Sequence, residues 1–359
     1  MNSPPKNKPL TVADLGGETR EGFQTDQLGK RLARYGKARE NALQFRDFLL
    51  AHQEQKLADA LGDCGNYAVF RDYFTIGQTR LARFCTCKKH LICPLCAIRR
   101  GAKALRVYLA RVTALMAADA LLRPYMVTLT VKNGPDLEER FRHLAGNLRA
   151  YHKRRKGQRQ KGEVLKAKSA VWSYEFTNKG KGWHPHVHAV WLCYTPPDPF
   201  KLSEEWRQLT GDSYIVDVRP IDMADPVGGF CEVFKYALKF SDLPDQERLT
   251  AYRTLKGKRL QDSFGDLRGL DVEPSDQDEL LEELPYIERL YYFQRGAGYV
   301  LSREHVVQPE SEEERYMQAL IEMGWSDDQI VAFLQSRRDA ALGPHLPASA
   351  YPAITVTVT

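Results

Sequence analysis

Trp183-His184-Pro185-His186-Val187-His188-Ala189-Val190-Trp191 places a histidine at every second position and then runs into apolar residues. Alternate side chains of a β-strand share a face, so His184, His186 and His188 point the same way. That is how a sheet builds a metal site. A lone His-x-His is equally at home in a strand whose rings are merely packed or solvated, so the neighbouring segments decide the matter.

The preceding segment, Ala170–Thr177, alternates as a second strand, and Asn178-Lys179-Gly180-Lys181-Gly182 is a polar, glycine-containing loop between the two. An antiparallel hairpin follows. Glu175 then lies beside His186 and His188, on the face of Ser173 and Thr177 rather than that of Trp172, Tyr174 and Phe176. One carboxylate with two imidazoles suits Mn²⁺ or Mg²⁺, with positions left open for water and phosphate. A closed structural zinc would need a fourth protein ligand nearby, and the sequence offers none.

Further out, four of the seven cysteines crowd into Phe84-Cys85-Thr86-Cys87-Lys88-Lys89-His90-Leu91-Ile92-Cys93-Pro94-Leu95-Cys96. Clustering of this kind in a reducing compartment reads as a structural Zn²⁺ site rather than a disulfide framework. The expected quartet is Cys85, Cys87, Cys93 and Cys96, with His90 competing for one place. No thioredoxin-like βαβ pattern surrounds Cys93-Pro94-Leu95-Cys96, which disfavours a redox motif.

The whole chain has 359 residues, 43% of them hydrophobic, and a net charge of +6, enough for two domains with real cores. No apolar run reaches the roughly 18–20 residues of a membrane span, and the N-terminus lacks a signal-peptide core, so a cytoplasmic protein is expected. Residues 1–25 read as a flexible arm. From Asp26 to Ala60 apolar residues recur at helical spacing, interrupted near Gly36, and Ala102–Ala120 is again helix-like. Tyr125–Val131 is a β-branched strand, Asp136–Tyr151 a helix, and Ser213–Ile221 a further strand. Lys153, Arg154, Arg155 and Lys156 open a basic run, and Lys256, Lys258 and Arg259 form a second patch; both are candidates for holding phosphates, or solvated basic surface. Asp271–Glu283 reads as an acidic, solvated linker. Ser311-Glu312-Glu313-Glu314 and Ser326-Asp327-Asp328-Gln329 are capping boxes that each precede a helical pattern, with Gly324 ending the first helix; the tail from Ile354 is an edge strand or unstructured.

Three segments in order, Met126–Val131, Trp183–His188 and Glu232-x-x-x-Tyr236-x-x-Lys239, together resemble the HUH endonucleases, and among them the single-tyrosine rolling-circle replication initiators of small bacterial plasmids. The resemblance covers roughly residues 84–260. It implies an α+β fold, a central antiparallel sheet flanked by helices over 121–270. A helical, zinc-bearing and DNA-binding segment over 26–120 would precede it, and an acidic linker with a small helical region over 271–359 would follow. It implies that His186, His188 and Glu175 hold the catalytic metal, that Tyr236 is the nucleophile, Glu232 the carboxylate used in termination and Lys239 the basic residue after the tyrosine. His184 falls in the same motif, with a phosphate-orienting role or a packing one. The implied activity is nicking of plasmid origin DNA through a 5′-phosphotyrosine, leaving a 3′-OH for a host polymerase behind a helicase, with a homo-oligomer conceivable. Single-tyrosine transposases and relaxases share this chemistry, but the former are shorter and the latter usually place the tyrosine before the histidines. A non-catalytic zinc-containing DNA-binding regulator is the rival of another class.

Overall fold

The histidine stretch forms the middle strand of a five-stranded antiparallel sheet. The computed structural model describes residues 27–156, 160–234, 240–273, 277–281, 284–308 and 320–342. The arm expected over 1–25, Tyr236, Lys239, the helix expected after Ser311 and the tail from Ile354 lie outside them.

The chain begins with helices α1 (Leu28–Ala51) and α2 (Gln55–Asp63), a hairpin of β1 (Tyr67–Tyr73) and β2 (Gln78–Phe84), and the long helix α3 (Pro94–Ala118). There follow β3 (Arg123–Thr130), α4 (Leu137–Lys153), β4 (Ala167–Asn178), β5 (Trp183–Cys193), α5 (Pro199–Thr210), β6 (Val216–Pro220), α6 (Pro226–Phe234), α7 (Asp245–Leu255) and β7 (Gln261–Phe264). The last elements are β8 (Tyr286–Gln294), β9 (Gly298–Val307) and α8 (Asp327–Leu342).

In the five-stranded sheet the order is β6-β3-β5-β4-β7. Val187, Ala189 and Trp191 of β5 are buried on the face away from the histidines. Burying each large side chain contributes roughly 1.5–3 kcal/mol, and this fixes which face the histidines take. Helices α4 and α5 cover that apolar face: Phe141 packs against Tyr174 and Phe176, and Tyr151 against Trp191 and Trp206. On the histidine face lie α3 and α6, joined where Tyr108 stacks on Phe234 at 5.3 Å. Pro185 lies just beyond the last β3–β5 pair, Thr130 with His186, so its missing N–H costs that ladder nothing.

A second sheet, ordered β2-β1-β8-β9, corrects two expectations. The segment over 26–120 is not only helical, and the segment from 271 is more than a linker before helices, because β1 pairs antiparallel with β8 across most of the chain's length. Nor is the acidic stretch a solvated linker: Asp278 donates its N–H to the Leu81 carbonyl, accepts the Leu81 N–H at 2.7 Å, and meets Arg31 at 3.1 Å. The interruption expected near Gly36 is also absent. Helix α1 runs through it, and a Cβ there would stand 3.4 Å from Gly298 Cα, so the glycine lets the β8–β9 turn approach the helix.

One compact unit takes the chain to Leu280 together with Tyr286–His305; the other takes Leu281–Pro285 and the residues from Val306. Within the second unit Gly324, at φ +83°, closes a turn in which the Trp325 N–H reaches the Leu320 carbonyl, and the Ser326 N–H donates to Gln329 Oε1 ahead of α8.

Candidate active site

The register of three strands assembles the site. Glu175 on β4 pairs directly with His186, Ser173 pairs with His188, and on the other side Thr128 of β3 pairs with His188. Period-two alternation brings all of these side chains to one face. Glu175 Oε1 lies 3.4 Å from His186 Nε2, and Oε2 lies 3.4 Å from His188 Nε2. The carboxylate is buried and the two imidazoles nearly so. A buried carboxylate is costly without a compensating cation.

The outer nitrogens of both rings are already committed. His188 Nδ1 is 3.1 Å from the Thr128 hydroxyl, and His186 Nδ1 faces the His184 carbonyl at 3.4 Å. A proton on Nδ1 satisfies both acceptors and leaves each Nε2 lone pair directed at the point where Glu175 also converges. Ligands at about 2.1 Å and right angles stand about 3 Å apart, close to the observed spacing. Glu175, His186 and His188 therefore fit a divalent cation, and they form one of two such groups among the described residues.

His184 does not join them. Its Nδ1 turns to Asn133 Oδ1 at 2.5 Å, and its ring is 5.5 Å from that of His186. Burial, the neighbouring His186 and Lys179 hold its pKa below the ordinary histidine value.

Helix α6 carries Glu232, half-buried, one residue before Val233. Ser173, on the strand that also bears Glu175, donates its hydroxyl proton to the Val233 carbonyl. The end of the helix is thereby tied to the metal-facing strand. Tyr236 and Lys239 follow Phe234 by two and five residues in the sequence and lie outside the described residues.

The second group is Cys64, Cys87, Cys93 and Cys96, and it corrects the expected quartet. Neither Cys85 nor His90 belongs to it. The reason is a main-chain contact: the Gly65 N–H donates to the Cys85 carbonyl at 2.8 Å, drawing the end of α2 alongside the cysteine loop so that Cys64 arrives beside Cys87. Only glycine suits position 65, where φ is +73° and a Cβ would fall 2.4 Å from Leu95. His90 is pushed down to about 4 by burial, then by Arg100. Sulfur separations of 3.5 and 3.6 Å from Cys64 to Cys93 and Cys96, and 3.6 Å from Cys87 to Cys96, lie near the ~3.8 Å edge of a tetrahedron with 2.3 Å metal–sulfur bonds. All four thiols are unbridged, and the Cys87 N–H points at Cys64 Sγ. Two buried arginines pin the adjacent backbone: Arg39 holds the Leu61 and Gly62 carbonyls, and Arg248 holds that of Ile92. Burial lowers the Arg248 pKa to about 10, so it remains a cation beside the cluster.

The basic residues singled out from sequence lie elsewhere. The run ending α4 belongs to the face opposite the histidines, where Arg155 stacks 3.5 Å over Phe264 and Arg154 lies over Tyr151, while Lys153 and Lys156 are exposed. Lys258 pairs with Glu138 on that same side, Arg259 with Asp262, and Lys256 lies over Tyr252. Sequence reading missed Cys64, Thr128, Ser173 and Asn133. Thr128 and Ser173 carried a signal, since each stands at an alternating position of a strand beside the histidines.

Two histidines and a carboxylate on adjacent antiparallel strands, with helices on both faces, define an α+β protein of the HUH class. A family model described as "Replication protein" matches residues 78–289, more than half of the chain, and the chain belongs to that family, the plasmid rolling-circle replication proteins. Membership carries with it a part in plasmid replication initiation, binding of origin DNA and endonuclease and strand-transfer activity in general terms. No curated protein and no solved structure matches the chain. Among the described residues no helix is long and apolar enough to cross a membrane.

Proposed function

We propose that this protein starts rolling-circle replication by nicking one strand of the plasmid origin with Tyr236, acting on DNA in the cytoplasm. The observation that carries the reading is the convergence of His186 Nε2, His188 Nε2 and both oxygens of Glu175, on a strand tied through Ser173 to the helix that precedes Tyr236. Bound there, Mn²⁺ or Mg²⁺ supplies Lewis-acid polarisation of the scissile phosphate. Zn²⁺ in the four-cysteine cluster is structural.

A phenol of pKa about 10 is a weak nucleophile at neutral pH. Lys239 favours the phenolate and steadies the phosphate. Tyr236 Oη then bonds to phosphorus as the bond from phosphorus to the 3′ oxygen breaks. That oxygen takes up a proton, leaving a 5′-phosphotyrosine and a 3′-OH that a host polymerase extends behind a helicase. Because the phosphotyrosine keeps the phosphodiester bond energy, rejoining needs no ATP. Glu232 takes the proton of a water molecule for a second cleavage at termination, so no second adduct forms.

Incubation with single-stranded origin oligonucleotides and Mn²⁺ is expected to give a covalently shifted band that Tyr236→Phe abolishes. Glu232→Ala should keep the first nick and lose termination. No adduct across a broad oligonucleotide library would instead favour a DNA-binding regulator without catalysis.

A further inference from the structure

The second sheet has one covered face and one open face. Helix α1 covers the first, where Arg31 lies over Phe70 and Tyr35 packs on Phe84. The other face carries Tyr67, Val69 and Arg71 of β1 opposite Tyr292, Leu290 and Glu288 of β8. Tyr67 and Tyr292 stand side by side with ring centroids 6.4 Å apart, and Tyr292 is 47% exposed. Around them Arg83, Arg303 and His305 line a concavity of about 250 Å³.

The charges here are uneven. Glu288 is engaged by Arg71 at 3.3 Å, while among the described residues neither Arg83 nor Arg303 has an acidic partner. One exposed and one half-buried tyrosine ring, with the exposed Arg83 and Arg303 at their rim and Glu288 already matched by Arg71, give this face a net positive charge that suits a polyanion. They are the composition that single-stranded nucleic acid requires: ring faces on which unpaired bases stack, and cations that follow the phosphates. Duplex DNA keeps its bases stacked inward and cannot use the rings. A four-stranded sheet is roughly 14 Å across, a width that suits two or three stacked nucleotides.

We infer that the open face of the four-stranded sheet, built on Tyr67, Tyr292, Arg83 and Arg303, is a second binding surface, for single-stranded DNA. It is separate from the nicking site and holds the strand by stacking and charge, without reading sequence. Tyr67, Tyr292, Arg303 and His305 lie outside residues 78–289 and Arg83 inside them, so most of the surface lies beyond what the family match covers. It rests on no role for Tyr236.

The test uses the full chain as the Tyr236→Phe variant without added divalent cation, so that no cleavage intervenes. The probe is a labelled oligothymidylate of about 16 nucleotides, followed by fluorescence anisotropy. Tyr292→Ala should weaken binding about tenfold. The double change Arg83→Ala with Arg303→Ala should flatten the dependence of log affinity on log salt by about 1.4, as expected for two lost phosphate contacts. All three side chains are well exposed, so melting temperatures should not move. Arg142→Ala, which removes an exposed charge from the five-stranded domain, should change nothing. Unaltered binding in Tyr292→Ala and in the double variant would overturn the inference. So would an equal loss in Arg142→Ala, equally tight binding of duplex lost in the same variants, or a self-association that these variants abolish while DNA binding persists.

Discussion

The hydroxyl of Ser173 donates a hydrogen bond to the main-chain carbonyl of Val233. Ser173 is the cross-strand partner of His188 and lies two residues from Glu175, and Val233 follows Glu232. One buried hydroxyl thus sets the end of α6 against the strand that bears Glu175.

Ser173→Ala removes that tie and leaves a buried carbonyl unsatisfied, at a cost of about 1–3 kcal/mol. Metal binding at the proposed Glu175, His186 and His188 site should be nearly unchanged, whereas nicking should fall by an order of magnitude or more because Val233, three residues before Tyr236, loses its anchor. Calorimetric Mn²⁺ titration beside a nicking assay separates the two. Equal losses in both would mean that Ser173 supports the metal site itself.

Thr128→Val keeps the shape of the side chain and removes the acceptor facing His188 Nδ1. The imidazole can then take either tautomer, and metal affinity should drop about 10–100-fold with little change in melting temperature. Titration of Mn²⁺ at fixed pH measures it. An unchanged affinity would show that packing alone orients the ring.

Cys64→Ser should lose bound zinc and lower stability by several kcal/mol, since metal binding is coupled to folding. Cys85→Ser should retain one zinc per chain. Elemental analysis of the purified variants decides between them. Zinc lost from Cys85→Ser and kept by Cys64→Ser would restore the quartet read from local sequence.

The contrast between Cys64 and Cys85 shows what the sequence carried and what it did not. Strand alternation is a local property, so the shared face of Glu175, His186 and His188 was legible from residues 170–191 alone. The β1–β8 pairing joins Tyr67 to Tyr292, and nothing local marks two strands so far apart as partners. Cys64 belongs to the cysteine cluster only because Gly65 docks on the Cys85 carbonyl, again a contact between segments. The basic run after α4 was legible as charge, but its side of the sheet depended on Phe141, Tyr151 and His152 packing against the apolar face. The turn at Gly324 and the start of α8 were legible because a left-handed glycine and a capping glutamine are local signals.

His152 gives a pH dependence. Its ring packs 4.4 Å from Trp172 and 5.2 Å from Phe264, and burial there, aided by the Arg155 charge, pushes its pKa down to about 3. The unfolded chain, with the histidine near 6.5, binds the extra proton first. The stabilising effect of a neutral His152 is therefore complete above about pH 6.5 and is lost progressively as pH falls toward 3, by up to roughly 5 kcal/mol. Urea melts of wild type and His152→Phe should show a shallower loss in the variant over that window. Parallel curves would remove His152 from the acid sensitivity.

The most direct measurement is peptide mapping by mass spectrometry of the covalent species formed with a single-stranded origin oligonucleotide and Mn²⁺. The expected result is nucleotide mass on the peptide containing Tyr236, absent when Glu175 is changed to Ala. Nucleotide on a peptide bearing a different tyrosine, or adduct formation undiminished in Glu175→Ala, would contradict a nicking site built on Glu175, His186, His188 and Tyr236.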